Sequence, residues 1–213
     1  MTLTWILGFN VGEKFGIYCS DVSGAFDRVE MGRMIEKLNA KGTHSDLVRV
    51  LESWLRTRRA HVIVGGARGC ELSLRDMVYQ GTVWGPWLWN IFYEDARLAV
   101  HAALFREIIF ADDLNAFRAF KLAMPNADVF EATAQCQKEL HAWGRANQVA
   151  FDPMKESQHV VSHVHPASSN FKFLGILFDC SLTMAAAVHE VVGEVRWKTA
   201  TLMRSRRYHS VSL

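Results

Sequence analysis

The sequence reads IIFADDLNAF at residues 108–117. Two adjacent carboxylates, Asp112 and Asp113, stand between two apolar runs, and this pattern predicts a hairpin with the acidic pair at its tip. Two like charges about 4 Å apart repel by about 4 kcal/mol at the dielectric of a protein surface. We therefore expect a cation at the pair, and Mg²⁺ fits because it prefers carboxylate oxygens. A solvated turn is the alternative interpretation of the pair taken alone.

A second acidic cluster lies upstream, where Asp21 and Asp27 flank residues 22–26. Residues 17–22 have the composition of a strand, so Asp21 would meet the Asp112 hairpin across a sheet. Two metal ions about 3.5–4 Å apart, held by such carboxylates, clamp the attacking and leaving oxygens of a phosphoryl transfer. The carboxylates together are compatible with two-metal phosphoryl-transfer chemistry, beside the alternative of a solvated turn.

The remaining sequence predicts strands and helices that interleave without a regular βαβ repeat, which indicates an α+β fold. Apolar residues at helical spacing, together with Pro86 as a helix start, predict helices over residues 31–38, 47–55, 86–97, 129–143 and 183–204. Thr43 or Ser45 is the predicted N-cap of the second helix. Strands are predicted at residues 60–64, with Gly65-Gly66 as a hairpin turn, and at residues 149–151, 159–162 and 171–178.

The composition is that of one globular core without a strong charge bias. The 24 basic and 22 acidic residues leave a formal charge of +2, which falls short of the basic signature of a nucleic-acid-binding protein. The four cysteines are too far apart for a zinc motif, and we expect reduced, mostly buried thiols in an intracellular protein, in the nucleus or the cytoplasm. The longest uncharged stretch, residues 78–93, is too short to span a membrane, so no membrane partner is expected.

Five short segments occur in the order of the motifs of retroelement reverse transcriptases. DVSGAFDRV at residues 21–29 resembles motif A of that family, QGTVWGP at residues 80–86 resembles motif B, and FADD at residues 110–113 resembles motif C. DPMK at residues 152–155 is similar to motif D, and FLG at residues 173–175 to motif E. SWL at residues 53–55, followed by Arg59 and Val62, resembles the non-long-terminal-repeat retrotransposon branch.

The resemblance implies chemical roles for individual positions. Asp21 and Asp112 match the metal-binding aspartates, and Asp113 matches the third aspartate that the family keeps beside the metal ions. Lys155 matches the motif D lysine that protonates the pyrophosphate leaving group as a general acid. A lysine after Asp-Pro is also compatible with a plain solvated side chain, so both interpretations stay open.

Further positions match contacts to the nucleotide and the primer. Phe26 matches the residue that stacks under the incoming sugar and excludes a 2′-hydroxyl, or it is a core aromatic. Gln80 and Gly81 match the loop that contacts the template and the incoming nucleotide, or they only shape that loop. The residues that match the primer grip of motif E are Phe173, Leu174 and Gly175.

The resemblance also implies an architecture and a set of partners. It implies a polymerase palm, an antiparallel sheet packed on helices, at residues 1–178 with a remnant of the fingers, and the beginning of a thumb at residues 179–213. The fingers would be truncated, with fingers and endonuclease regions in a longer parent protein, so we expect little or no polymerase activity from this chain alone. The implied cofactors are two Mg²⁺ or Mn²⁺ ions, and the implied partners are an RNA template, a DNA primer and deoxynucleoside triphosphates.

Other interpretations stay open beside the polymerase. The chain is also compatible with a degenerate, non-catalytic retroelement fragment, although its three aspartates are intact, or with another palm-type nucleotidyl transferase such as a cyclase. Asp27 is a candidate ion-pair partner for Arg28 or Arg33. A basic group near the end of the chain would contact nucleic-acid phosphates or form a solvated helix face. Its members are Arg196, Lys198, Arg204, Arg206 and Arg207.

Overall fold

The computed structural model of the protein describes residues 2–74, 78 and 80–205. The described residues fall into two compact units. One lies within Ile17–Arg118 and Glu131–Gln158, and the other within Met1–Gly16, Ala119–Phe130 and His159–Leu213. The first unit contains motifs A to D and the second contains motif E.

Helices and strands alternate irregularly along the chain, as expected for an α+β fold. The helices are α1 (Thr2–Asn10), α2 (Met31–Ala40), α3 (Ser45–Arg56), α4 (Gly85–Tyr93), α5 (Ala96–Ala102), α6 (Asn126–Asn147) and α7 (Ala185–Ser205), with a short 3₁₀ helix at Ala25–Arg28. The strands are β1 (Glu13–Ser20), β2 (Arg59–Val64), β3 (Ala67–Ser73), β4 (Arg106–Phe110), β5 (Asp113–Lys121), β6 (Ser157–Val161), β7 (Phe171–Phe173) and β8 (Ile176–Phe178).

The hairpin predicted around the acidic pair is present as β4 and β5, which pair antiparallel and occupy one side of a four-stranded sheet of order β4-β5-β1-β6. Phe110 pairs with Asp113, so the loop consists of Ala111 and Asp112. Asp113 therefore begins strand β5 instead of standing in the turn. Ala111 has φ 55°, a left-handed conformation that a residue with a Cβ rarely adopts.

The two helices after motif A follow their apolar periodicity. Met34 and Leu38 of α2 are buried, as are Leu51 and Leu55 of α3. The N-cap of α3 is neither Thr43 nor Ser45, so that prediction is wrong. The ring nitrogen Nδ1 of His44 accepts the backbone N–H of Asp46 at 3.2 Å, and a histidine is not among the residues preferred at this position.

Two predicted elements differ from the structure. The helix expected over residues 86–97 ends at Tyr93, and α5 begins at Ala96. Between them the Asp95 carboxylate accepts from the Lys37 ammonium at 2.7 Å and from the Trp143 indole at 3.0 Å, contacts that helical periodicity does not reveal. The strand expected at residues 149–151 is only a single bridge between Phe151 and Val22.

The second unit has an aromatic core. The ring of Trp5, in the unpredicted helix α1, lies edge-on to Phe178 with centroids 6.0 Å apart, and Phe171 stacks on Phe178 at 5.8 Å. The predicted strand at residues 171–178 is the hairpin of β7 and β8. The apolar stripe of α7, which includes Val188 and Val195, is exposed.

The cysteines follow the expectation of reduced, mostly buried thiols. All four are free, and three of them, Cys19, Cys136 and Cys180, are buried, whereas Cys70 is exposed. Among the residues that the structure describes, no helix has both the length and the apolar character needed to cross a membrane.

Candidate active site

Neighbouring strands bring the first two acidic motifs together. Strands β1 and β5 are adjacent in the sheet, and the Ser20 hydroxyl on β1 donates to the Leu114 carbonyl on β5 at 2.9 Å. Asp21 follows Ser20 directly, and Asp113 precedes Leu114. The juxtaposition of Asp21 with the hairpin, predicted from the strand-like segment before it, is present in the fold.

The three carboxylates share one electrostatic environment. Burial, followed by the negative charges of Asp112 and Asp21, raises the pKa of Asp113, whose carboxyl group lies within hydrogen-bonding reach of Asp21. The same cluster acts on the buried phenol of Tyr93. Burial, and then the charges of all three aspartates, raise the pKa of Tyr93. The repulsion expected from the sequence is therefore a property of the folded site.

Lys155 lies at the edge of this carboxylate cluster. Its ammonium group donates to Oδ2 of Asp21 at 2.8 Å, and this hydrogen bond raises the pKa of Lys155. The Lys155 side chain is 60% exposed and that of Asp21 only 19%, so the ammonium approaches a largely covered carboxylate from the solvent side. The backbone N–H of Asp152 also donates to the Asp21 carbonyl at 3.0 Å, which joins the motif D turn to motif A.

The cluster has the chemistry of a divalent-cation site. Over the described ranges 2–74, 78 and 80–205, no three His, Cys, Asp or Glu side chains are arranged as a ready-made metal centre. The Asp21 carboxylate is paired with Lys155. Burial, and then the negative charges of Asp112 and Asp21, still raise the pKa of Asp113, although the charge of Lys155 acts to lower it. Carboxylate oxygens crowded in this way fit Mg²⁺ or Mn²⁺.

Trp89 is a site residue that the sequence did not reveal. Its indole N–H donates to the carbonyl of Ala111 at 2.9 Å, so helix α4 holds the turn that carries Asp112. The buried ring stacks on Tyr93 with centroids 4.9 Å apart and lies 6.0 Å from the ring of Phe26. No local signal distinguishes Trp89 from its neighbours, since Trp84 and Trp87 precede it in the same apolar run.

The positions matched to nucleotide contacts are Phe26, Gln80 and Gly81. Phe26 is half-buried in the 3₁₀ helix, where its carbonyl accepts the N–H of Val78 at 2.8 Å. Gln80 and Gly81 lie in an exposed turn before α4, and Gly81 has φ 84°, a conformation that favours glycine. Both interpretations of these three residues, nucleotide contact and local packing or loop shape, remain compatible with these positions.

The positions matched to the primer grip form a tight turn. Leu174 and Gly175 are the two-residue loop between β7 and β8, and both have positive φ, 48° and 78°. Phe173 is buried and Leu174 is 43% exposed. This hairpin belongs to the second unit, whereas the carboxylate cluster belongs to the first.

The remaining charged candidates are Asp27 and the basic group near the end of the chain. Asp27 makes no ion pair with Arg28 or Arg33 within the described part of the chain, so that prediction is wrong. Arg196, Lys198 and Arg204 are exposed on α7, where Lys198 pairs with Glu194 at 2.6 Å. The last two members of the basic group, Arg206 and Arg207, lie outside the described residues.

A family model described as reverse transcriptase (RNA-dependent DNA polymerase) matches residues 10–178. The chain belongs to the reverse transcriptase family. The fold of the chain agrees with this family, because solved telomerase structures are similar to it at low sequence identity. The predicted α+β palm-type architecture is confirmed. No protein with a curated description matches the chain significantly.

Solved structures similar to this reverse transcriptase domain include telomerases of Candida tropicalis and Candida albicans. A Candida tropicalis telomerase truncated from its C-terminal domain superposes with a TM-score of 0.63 at 13% identity, over 85% of this chain and 37% of that one. A Candida tropicalis telomerase in complex with a fragment of telomeric RNA gives 0.59 at 11% identity, over 86% and 32%. A Candida albicans telomerase complex gives 0.53 at 14% identity, over 79% and 30%. The chain thus spans about a third of the length of these structures.

Proposed function

We propose that this chain is the catalytic palm of an RNA-directed DNA polymerase, which extends a DNA primer on an RNA template by adding deoxynucleotides. The observation that supports this most is the convergence of Asp21, Asp112 and Asp113 at the junction of β1 with the β4–β5 hairpin. Lys155 at the same place supplies a cation on the solvent side.

The carboxylates would hold the metal ions of the reaction. Asp21 and Asp112, assisted by Asp113, are the ligands we assign to two Mg²⁺ or Mn²⁺ ions. When bound, such ions activate the primer 3′-hydroxyl and stabilise charge on the transferred phosphoryl group. The ammonium of Lys155 would donate a proton to the departing pyrophosphate, a role that its exposed side chain and its position beside Asp21 suit because the group is reachable from the solvent.

The other matched residues would bind the substrates. Phe26 would lie under the sugar of the incoming deoxynucleotide, while Gln80 and Gly81 would contact the nucleotide and the template. We assign the palm to residues 1–178 and the beginning of the thumb to residues 179–213. The primer-grip residues are Phe173, Leu174 and Gly175, and the candidates for phosphate contacts are Arg196, Lys198, Arg204, Arg206 and Arg207.

The source that we propose is a non-long-terminal-repeat retrotransposon, acting inside the cell where RNA templates and deoxynucleotides are available. SWL at residues 53–55, with Arg59 and Val62, supports this branch. Sequencing of the genomic locus tests the assignment. We expect an endonuclease region in the same reading frame, and a locus with telomerase-type flanking regions would contradict it.

The experiment that tests the function is single-nucleotide addition to a DNA primer on an RNA template, with the protein in excess over primer. We expect weak, template-directed addition that Asp112→Asn lowers by at least about 100-fold, or ~2.7 kcal/mol. The matched control is Asp46→Asn, an exposed aspartate of α3. No addition even when a fingers region is restored to the chain would favour the degenerate fragment, and a template-independent cyclic nucleotide would favour a cyclase.

A further inference from the structure

A buried carboxylate lies immediately after Lys155. The side chain of Glu156 is only 6% exposed, and it accepts three hydrogen bonds. Oε1 accepts from the hydroxyl of Tyr18 on β1 and from Nε2 of His141 on α6, the latter at 2.7 Å, and Oε2 accepts from Gln137 on α6 at 3.1 Å. A buried carboxylate with this many donors is a firm structural anchor, because leaving any of them unpaired is costly.

The anchor joins elements that lie far apart in the sequence. Tyr18 is fully buried, and burial together with the hydrogen bond to Glu156 raises its pKa, so the phenol remains a donor. The His141 ring also stacks on Phe151 with centroids 5.2 Å apart and planes at 10°. Gln137 in turn accepts from Gln158 at 2.9 Å. The network therefore holds both flanks of the motif D turn against α6.

The turn itself is closed on the other side by backbone bonds. The carbonyl of Asp152 accepts from the N–H groups of Lys155 and Glu156 at 3.0 and 3.1 Å, and the N–H of Met154 donates to the Asp152 carboxylate at 3.0 Å. Asp152 is bonded to Asp21 through its own N–H. The backbone of Lys155 thus lies between a tie to motif A and the Glu156 anchor.

The Lys155 side chain needs such support. It is long and 60% exposed, and its described hydrogen bond is the one to Asp21. Exposed ion pairs of lysine hold a side chain weakly, because ordering the flexible stem opposes the attraction. We propose that Glu156 is a positioning residue for Lys155: by fixing the backbone to α6 and β1, it keeps the ammonium at the carboxylate cluster. This inference rests on the proposed function only for the catalytic meaning of that position.

The test is NMR of the full chain with ¹³C,¹⁵N-labelled lysine, in which Lys155→Arg identifies the Lys155 side-chain signals. Asp21→Asn defines the signal position of a Lys155 that has lost its partner. We expect Glu156→Ala to move the signal at least halfway to that position, and Glu156→Gln, which keeps an acceptor for Tyr18, to move it less. Glu131→Ala, on the exposed face of α6, is the matched control and should leave the signal in place.

A purely structural role for Glu156 gives a different result. Leu38→Ala weakens the buried core of α2 without touching the network, so it should lower the melting temperature and leave the Lys155 signal unmoved. If Glu156→Ala does not fold, Tyr18→Phe removes one donor and should shift the signal in the same direction. A signal that moves less than halfway in folded Glu156→Ala, or not at all in Tyr18→Phe, overturns the inference. The catalytic role of Lys155 is tested separately, by nucleotide addition. If that role fails, the NMR results expected above stay the same.

Discussion

Asp112 stands in the turn beside Asp113, close to Asp21, so its negative charge adds to a crowded cluster. Replacing it by Asn removes a hard oxygen ligand and part of the charge that attracts a divalent cation. We predict that the chain binds Mn²⁺ weakly and that Asp112→Asn lowers the affinity at least about tenfold, or ~1.4 kcal/mol. Titration calorimetry measures this, with Asp46→Asn as control, and equal affinities for Asp112→Asn and the unmodified chain would remove Asp112 from the site.

Phe26 presents a half-buried ring next to Trp89 in the same unit as the aspartates. A phenyl group against the sugar leaves no room for a 2′-hydroxyl and offers it no hydrogen bond. We predict that Phe26→Ala raises ribonucleotide use relative to deoxynucleotide use by about 10- to 100-fold, or ~1.4–2.8 kcal/mol. The measurement is the ratio of the two kcat/KM values, and an unchanged ratio with both rates lower would make Phe26 a core aromatic.

Lys155 is expected to matter most when the leaving group is basic, because a poor leaving group depends on protonation. We predict that Lys155→Ala slows addition from an analogue with a β,γ-CH₂ bridge about tenfold more than from one with a β,γ-CF₂ bridge, whose leaving group is less basic. Single-turnover rates with both analogues give the comparison. Lys138→Ala, on the exposed part of α6, is the control. Equal slowing of both analogues would leave Lys155 as an electrostatic side chain only.

At the scale of elements, helix α4 supports the hairpin that carries Asp112 through one indole. Trp89→Phe keeps an aromatic ring beside Tyr93 but removes the bond to the Ala111 carbonyl, in a turn whose φ of 55° is already unfavourable for alanine. We predict a loss of about 1 kcal/mol in unfolding free energy, measured by urea denaturation, and weaker Mn²⁺ binding. Trp87→Phe is the matched control, since Trp87 is 68% exposed on the same helix. If Trp89→Phe binds Mn²⁺ as tightly as the unmodified chain, the turn of Ala111 and Asp112 keeps its conformation without the indole hydrogen bond.

At the scale of the whole molecule, stability should depend on the protonation of one buried histidine. His159 is 1% exposed, its ring stacks on Phe171 at 4.3 Å, and the Ser169 backbone only partly offsets the effect of burial on its pKa. Burial lowers the pKa of His159 from 6.5 to about 4. Between these two values the unfolded chain binds more protons than the folded one, so stability is lost as the pH falls through this window.

We predict that the free energy of unfolding decreases by up to about 3 kcal/mol between pH 6.5 and pH 4 because of His159, at about 1.4 kcal/mol per pKa unit. His159→Leu should flatten this part of the profile, measured by urea denaturation at a series of pH values. His189→Leu, at an exposed position of α7, should leave the profile unchanged. Identical slopes in the unmodified chain and His159→Leu would place the acid sensitivity elsewhere.

The sequence alone determined the reverse transcriptase family and the palm-type fold class, and it predicted the three aspartates of the proposed site. These features depend on short segments: an acidic pair between apolar runs predicts its own hairpin, and the apolar residues of α2 and α3 repeat at helical spacing. Five motifs in order then identify the family even though each is weak by itself. Local signals failed where a residue distant in the sequence contacts the backbone turn, as at the helix break beside Asp95. They also failed at the start of α3, where His44 forms a local cap that residue preference disfavours.

Only the tertiary structure decided which side chains meet. Lys155 and Asp21 are 134 positions apart, and the Tyr18 hydroxyl reaches Glu156 across 138 positions. The hydrogen bond from Trp89 to Ala111 spans 22 positions. Sequence patterns report the preferences of a residue and its near neighbours. A hydrogen bond between residues far apart in the sequence forms only when the burial of many distant groups together overcomes the entropy of the chain. The support of the site, unlike its aspartates, is therefore a property of the assembled sheet and helices.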